Sequence, residues 1–223
     1  QDWDGKSGLN VRDFGAKGDG TTDDTLALQR AFNAVNNIRH RIMLARQPML
    51  EGHAQLGDLP VAGSTSENVL VPELYFPAGN YRISNALVSR NYCFIRAEKG
   101  ARLIQSDVSK DILYVYWGFR LNINGLEFVG GRRQLVLFTG NEDTSMCVVE
   151  NCHFKNSSEM AFWSHNFRNP EGKDYATLTI GPYQLDWTDP ERPKFQPNDE
   201  TLPWFNNSTF FSFENCVFEN CFQ

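Results

Sequence analysis

Residues 10–32 read NVRDFGAKGDGTTDDTLALQRAF, a stretch with three glycines, four aspartates and three threonines that turns into a helical pattern. Three readings compete for it: a phosphate loop, a calcium loop and a structural turn leading into a helix. A phosphate loop needs G-x-x-x-x-G-K-[ST], because backbone amides cradle the phosphates while the lysine reaches them. Gly15 and Gly20 have that spacing, but Thr21 stands where the lysine belongs. A calcium loop of the EF-hand type wants oxygen ligands at alternating positions, a glycine sixth and a glutamate twelfth. Asp19, Asp23 and Asp24 do not keep that order. The structural reading fits: Gly18-Asp19-Gly20 makes a turn with positive φ, and Thr22 or Asp23 caps a helix. Leu28, Ala31, Phe32 and Val35 then recur at helical spacing, so one apolar stripe has something to cover.

The 223-residue chain is 41% hydrophobic, enough for one substantial core with or without appendages. No run approaches the roughly 20 apolar residues of a membrane helix. The opening QDWDGKSG is not a basic region followed by an apolar one, so a secreted form would be the mature one. The formal charge is −6 and no basic stripe accompanies the aromatics, which argues against nucleic acid as a partner. The spacing of the five cysteines fits neither a zinc site nor a small disulfide framework, and buried free thiols are expected.

A second motif, LYFPAGNYRIS at residues 74–84, combines with the first. Together they resemble the N-terminal segment of the pectate-lyase-like superfamily of right-handed parallel β-helices. The resemblance implies that the first motif plugs one end of the β-helix and the second begins its coils. The expected fold is all-β: a right-handed parallel β-helix, or solenoid, with an N-terminal capping α-helix and a long loop insertion. Residues 1–39 would hold strand, turn and cap, residues 40–70 an insertion that is partly helical, and residues 71–223 the coils.

Repeats support this independently. VVENCHFKNSS (148–158) and SFENCVFENCF (212–222) share E-N-C-x-F-x-N, and NINGLEFVGG (122–131) is a looser copy. The first two copies in chain order lie 26 residues apart, a length that suits one solenoid turn. Within each copy the period is two, so Cys152 and Phe154 point inward and His153 outward. Asn156 and Asn220 fall at one position, where an inward-turned asparagine would bond the next coil's backbone as a ladder. The next copy follows after 64 residues. The excess lies in an excursion at about 165–207, where YATLTI reads as a strand and the rest as an ordered loop.

The superfamily resemblance also implies an extended polysaccharide or oligosaccharide lying in a groove along one sheet. Aromatic faces stack on sugars, and hydrolysis uses two carboxylates. The excursion and its approach supply Trp163, His165, Arg168, Tyr183, Asp186 and Trp187 as candidate sugar contacts, with Asp189 and Trp204 nearby. NCHFKNSSEMAFW is laid out like the catalytic coil of the polygalacturonase family, whose paired carboxylates would fall on Ser158 and Glu159. Only one is kept, and that family's N-T-D, G-H-G and R-I-K motifs are not found. A 26-residue turn sets Arg132 and Arg133 beside Ser158 and Glu159, and the 64-residue interval to the next copy brings Gln223 level with Glu159. Glu159 is therefore the candidate acid or base, and Arg133 the residue that binds an acidic sugar or tunes Glu159 by charge. The competing reading of that pair is a surface ion pair worth less than about 1 kcal/mol.

The expected activity is polysaccharide hydrolysis. The alternatives are a polysaccharide lyase, using Arg133, His153 or His165 as base, and a glycan-binding tail-spike or adhesin without enzymatic function. No cofactor is expected, with calcium called for only by a lyase. The expected location is secreted, periplasmic or cell-surface. Nothing after Cys216 reads as a cap, so a missing C-terminal segment or a second chain is expected to cover that end.

Overall fold

A computed structural model describes residues 8–35, 73–139, 146–166, 177–180, 183–186, 194–197 and 210–221. The expected insertion at 40–70 and Gln223 lie outside them. The chain begins with β1 (Leu9–Asn10), a 3-10 turn (Val11–Phe14), β2 (Asp19–Asp23) and the helix α1, described over residues 25–35. Then come β3 (Leu74–Phe76), β4 (Gly79–Ile83), β5 (Leu87–Ala97), β6 (Ala101–Gln105), β7 (Leu113–Asn124), β8 (Glu127–Gly130) and β9 (Arg133–Thr139). β10 (Met146–Glu150), β11 (His153–Lys155) and β12 (Met160–Asn166) follow. After them lie β13 (Thr177–Ile180), β14 (Tyr183–Asp186), β15 (Lys194–Pro197), β16 (Phe210–Glu214) and β17 (Val217–Glu219).

The chain is a parallel β-helix. Its first face is a six-stranded parallel sheet in the order β17-β11-β8-β6-β4-β2. β5 and β7 each run along two faces, and their mutual register shifts between Arg90 and Tyr92. Their leading parts pair with each other and, through β7, with β9 and then β12 to form the second face. Their trailing parts join β1, β3, β10 and β16 in the third face.

The repeats take the register that their apolar pairs require. Phe128, Phe154 and Phe218 are successive partners, with rings stacked at 4.9 and 5.1 Å. Phe128 and Phe154 are fully buried, while Val217 is 51% and Phe218 50% exposed. Alternation across the strand explains the inward set, since one face of each short strand meets the core and the other meets solvent. Cys152 lies in that core and Cys216 packs against it, both as free thiols. Burial pushes the Cys152 thiol up to about 12, so it behaves as a small apolar filler.

The asparagines form ladders, but on the outside. Asn151, Asn156, Asn215 and Asn220 all have left-handed φ, between 50° and 58°, a conformation that turns the chain at the corners. Their amides bond along the helix axis: Asn220 donates to Asn156 at 3.2 Å and Asn151 to Asn124 at 3.2 Å. The expected inward asparagine is thus corrected: Asn151, Asn156, Asn215 and Asn220 are exposed, and their amides bond to other asparagine amides rather than to the next coil's backbone.

The opening motif is structural throughout. Gly18 and Gly20 have φ of 64° and 78°. Asp19 accepts hydrogen bonds from the backbone and hydroxyls of Thr21 and Thr22, Asp23 from Thr25 and Ser84, and Asp24 from the Lys17 and Gly18 amides. Asp23 therefore caps α1, and Leu28, Ala31, Phe32 and Val35 of the helix are buried. Gln29 projects from α1 to the free edge of β5, where its amide donates to the Val88 carbonyl and accepts from the Val88 N–H, each at 2.9 Å.

The excursion holds more structure than a loop. β13, β14 and β15 form a three-stranded antiparallel sheet, in which only the first strand follows from the sequence reading.

Candidate functional site

Charge gathers at the corner between the first and second faces. Gly130 and Gly131 turn the chain there with φ of 75° and 70°, and a Cβ on Gly130 would lie 2.3 Å from the Gln105 carbonyl. That close approach stacks the corner onto the coil before it. The backbone then climbs in step. Arg132 N–H donates to the Lys110 carbonyl at 2.6 Å, and Glu159 N–H to the Arg132 carbonyl at 3.0 Å. Lys110, Arg132 and Glu159 consequently occupy one line across three coils.

This register corrects the expected pairing of Arg133 with Glu159. Arg133 is level with Met160, not Glu159. A one-residue slip exchanges which side chain faces out. Arg132 reaches Glu159 at 3.9 Å, with side chains 30% and 52% exposed, whereas Arg133 is buried.

Both arginines close on Asp111, a buried carboxylate in the preceding coil. Arg132 donates from Nε and a terminal nitrogen at 2.9 and 2.8 Å. Arg133 donates from its backbone and Nε, each at 3.1 Å, and from a terminal nitrogen at 2.6 Å. The Tyr114 hydroxyl adds another donor to the same carboxylate. The Arg133 guanidinium also lies over the Trp163 ring, 4.8 Å from its centroid, in cation–π geometry.

Burial raises the proton affinity of Asp111, but hydrogen bonds from Arg132, Arg133 and Tyr114 outweigh it and hold its pKa down at about 2. Burial first, and then the Asp111 charge, push the Tyr114 phenol well above its usual range. Neither group exchanges protons near neutral pH. Among the described residues of this corner, Glu159 beside Arg132 and Asp107 beside Lys110 are exposed carboxylates next to a cation; Glu159 is the one beside the buried Asp111 cluster.

The expected groove along the sheet is modified as well. Val88, Tyr114 and Val136 are register partners on the second face and alternate with core residues, yet all three are buried. Among the described residues, Ser158 and Glu159 are exposed at its leading corner. Trp163 is half-buried at that face, and His165 sits on β12 opposite Phe138. Tyr183 and Asp186 sit on β14 of the antiparallel sheet. Arg168, Trp187, Asp189 and Trp204 lie outside the described residues. Among the described residues, no group of three His, Cys, Asp or Glu side chains is arranged to hold a metal ion.

Sequence reasoning missed Asp111, Tyr114 and the role of Arg132. The signal was present in the coil length. Asp111 stands 22 residues before Arg133, so a uniform 26-residue turn passes over it.

Residues 8–102 match the family model described as Rhamnogalacturonase A/epimerase, pectate lyase-like. No curated protein matches the chain, and no solved structure does. The family match over residues 8–102 and the parallel coils together support a likeness to the pectate-lyase-like superfamily.

Proposed function

We propose that the chain is a carbohydrate-active β-helix protein of the polysaccharide-degrading, glycoside-hydrolase kind, acting on an extended glycan laid across its coils. The observation that carries this reading is Glu159, half exposed at the start of β12 with the Arg132 guanidinium 3.9 Å away. In this reading Glu159 transfers the proton at the scissile bond. Arg132, rather than the buried Arg133, meets a polar or acidic sugar substituent, and Trp163 offers a ring edge. A polymeric substrate fits a secreted, periplasmic or cell-surface location.

Glycan binding without cleavage is the second reading. It is favoured by the state of Asp111, which is sealed and ionised and so cannot serve as the partner carboxylate of Glu159. Reducing-end release from a panel of neutral and uronic polysaccharides, compared between the parent chain and Glu159→Gln, separates the two. The hydrolase reading expects turnover that falls by at least about a hundredfold in the variant. Retained turnover in the variant rejects the assigned role. Glycan retention without turnover in either protein supports binding alone, and product absorbance in the unsaturated-uronate band identifies a lyase.

A further inference from the structure

We propose that Asp111 is the positioning residue of this site: one buried carboxylate fixes the Arg132 guanidinium beside Glu159 and, through Arg133, the cation above Trp163. The inference rests on the reading of Glu159 as a glycan-facing group and extends it one coil inward, to a residue that no sugar touches. Asp111 has no exposed side-chain surface. It nevertheless accepts from Arg132, Arg133 and Tyr114 together.

The arrangement is more specific than a buried ion pair needs. A single carboxylate against a single arginine would satisfy both in a two-pronged contact. Here two arginines of adjacent sequence share the acceptor, and Arg132, 30% exposed, is the one that reaches outward to Glu159. Glu159, at 3.9 Å, is too distant to hold that guanidinium by itself. Orientation therefore comes from below. Arg132 keeps two donors on Asp111, which fixes the plane of its guanidinium and the edge it turns to solvent. Arg133 is held in the same way, and its position over Trp163 couples the ring to the same carboxylate. Asp111 thus links the charged and aromatic parts of the corner through the two arginines.

The test uses the intact chain. Hydrogen exchange of the arginine Nε–H groups is followed in nitrogen-edited spectra, assigned with Arg132→Gln and Arg133→Lys. In Asp111→Asn the Arg132 Nε–H is expected to exchange at least about tenfold faster and the Trp163 indole signal to shift. Unchanged protection of Arg132 in a folded Asp111→Asn protein overturns the proposal. Where that variant does not fold, Tyr114→Phe removes one donor from Asp111 and is expected to raise exchange about threefold; no change there overturns it equally. The functional arm uses a polysaccharide that shows Glu159-dependent turnover. Asp111→Asn and Arg132→Gln are each expected to raise KM about tenfold with a smaller effect on kcat, and the double variant to be no worse than either. Additive losses would mean that Asp111 does not act through Arg132. Should no polysaccharide give Glu159-dependent turnover, the hydrolase reading fails, while the exchange measurement still decides the role of Asp111.

Discussion

The two corners that flank the first face are built on different plans. At the corner leading into it, Gly100, Gly125, Asn151 and Asn215 recur with positive φ in successive coils, and side-chain amides join Asn124, Asn151 and Asn215. At the corner leading out of it, Gly130, Asn156 and Asn220 also open in the left-handed region, but the residues that follow differ in number and charge. Asp111, Arg132, Arg133 and Glu159 all sit there. A corner repeated in every coil meets a geometric need common to all coils. A corner that changes from coil to coil carries chemistry that repetition would not require.

This contrast can be broken deliberately. The largest effect is expected from Gly130→Ala, which combines a φ of 75° with a Cβ 2.3 Å from the Gln105 carbonyl. A loss of about 3 kcal/mol is expected in urea unfolding. A cost below about 1 kcal/mol would mean that this corner yields as freely as a surface loop.

Acid comes next. The Asp111 carboxyl is held at about 2, against 3.8 for the free group. Because its pKa is lowered on folding, the stability it contributes is fully present above about pH 4 and is lost as pH falls through about 2. The expected loss is about 2 kcal/mol. Stability measured against pH should show this step in the parent chain and lack it in Asp111→Asn.

On the repeated corner, Asn151→Ala is expected to cost about 1 kcal/mol, since alanine resists left-handed φ. Asn151→Gly should stay within about 0.5 kcal/mol, because glycine accepts that φ and forfeits only two exposed amide bonds. Equal losses in the two variants would assign the position to its side-chain ladder rather than to its backbone. The smallest effect on stability is expected at the charged corner itself. Glu159→Gln should change unfolding by less than about 0.5 kcal/mol, because its contact with Arg132 is long and solvent-exposed.

Much of the fold was legible because it is written in periods. The stripe of Leu28, Ala31, Phe32 and Val35 marked the cap helix, and the ENCxF pattern with its looser copy NINGLEF set Phe218 and Phe128 level with Phe154. The site was less legible because corners have no alternation to read. A uniform turn length moved Arg133 into the place of Arg132 and hid Asp111, whose coil is shorter on the second face. The asparagine ladder was foreseen as a ladder, but residue spacing does not encode which way a corner side chain turns, and these are exposed. Among the described residues the extra strands of the excursion pair with one another, so no repeat of the coils announces them.

Gln29 has a role that its place on a helix conceals. An amide carries a donor and an acceptor at one tip, so it can answer both backbone groups of Val88 as a neighbouring strand would. A glutamate of the same length would set oxygen against the Val88 carbonyl, and a lysine would leave the N–H without an acceptor. The two bonds also stop the helix from rotating about its axis or sliding along it, since either motion separates both at once. Gln29 thus stands in for one residue of a strand at the edge of β5.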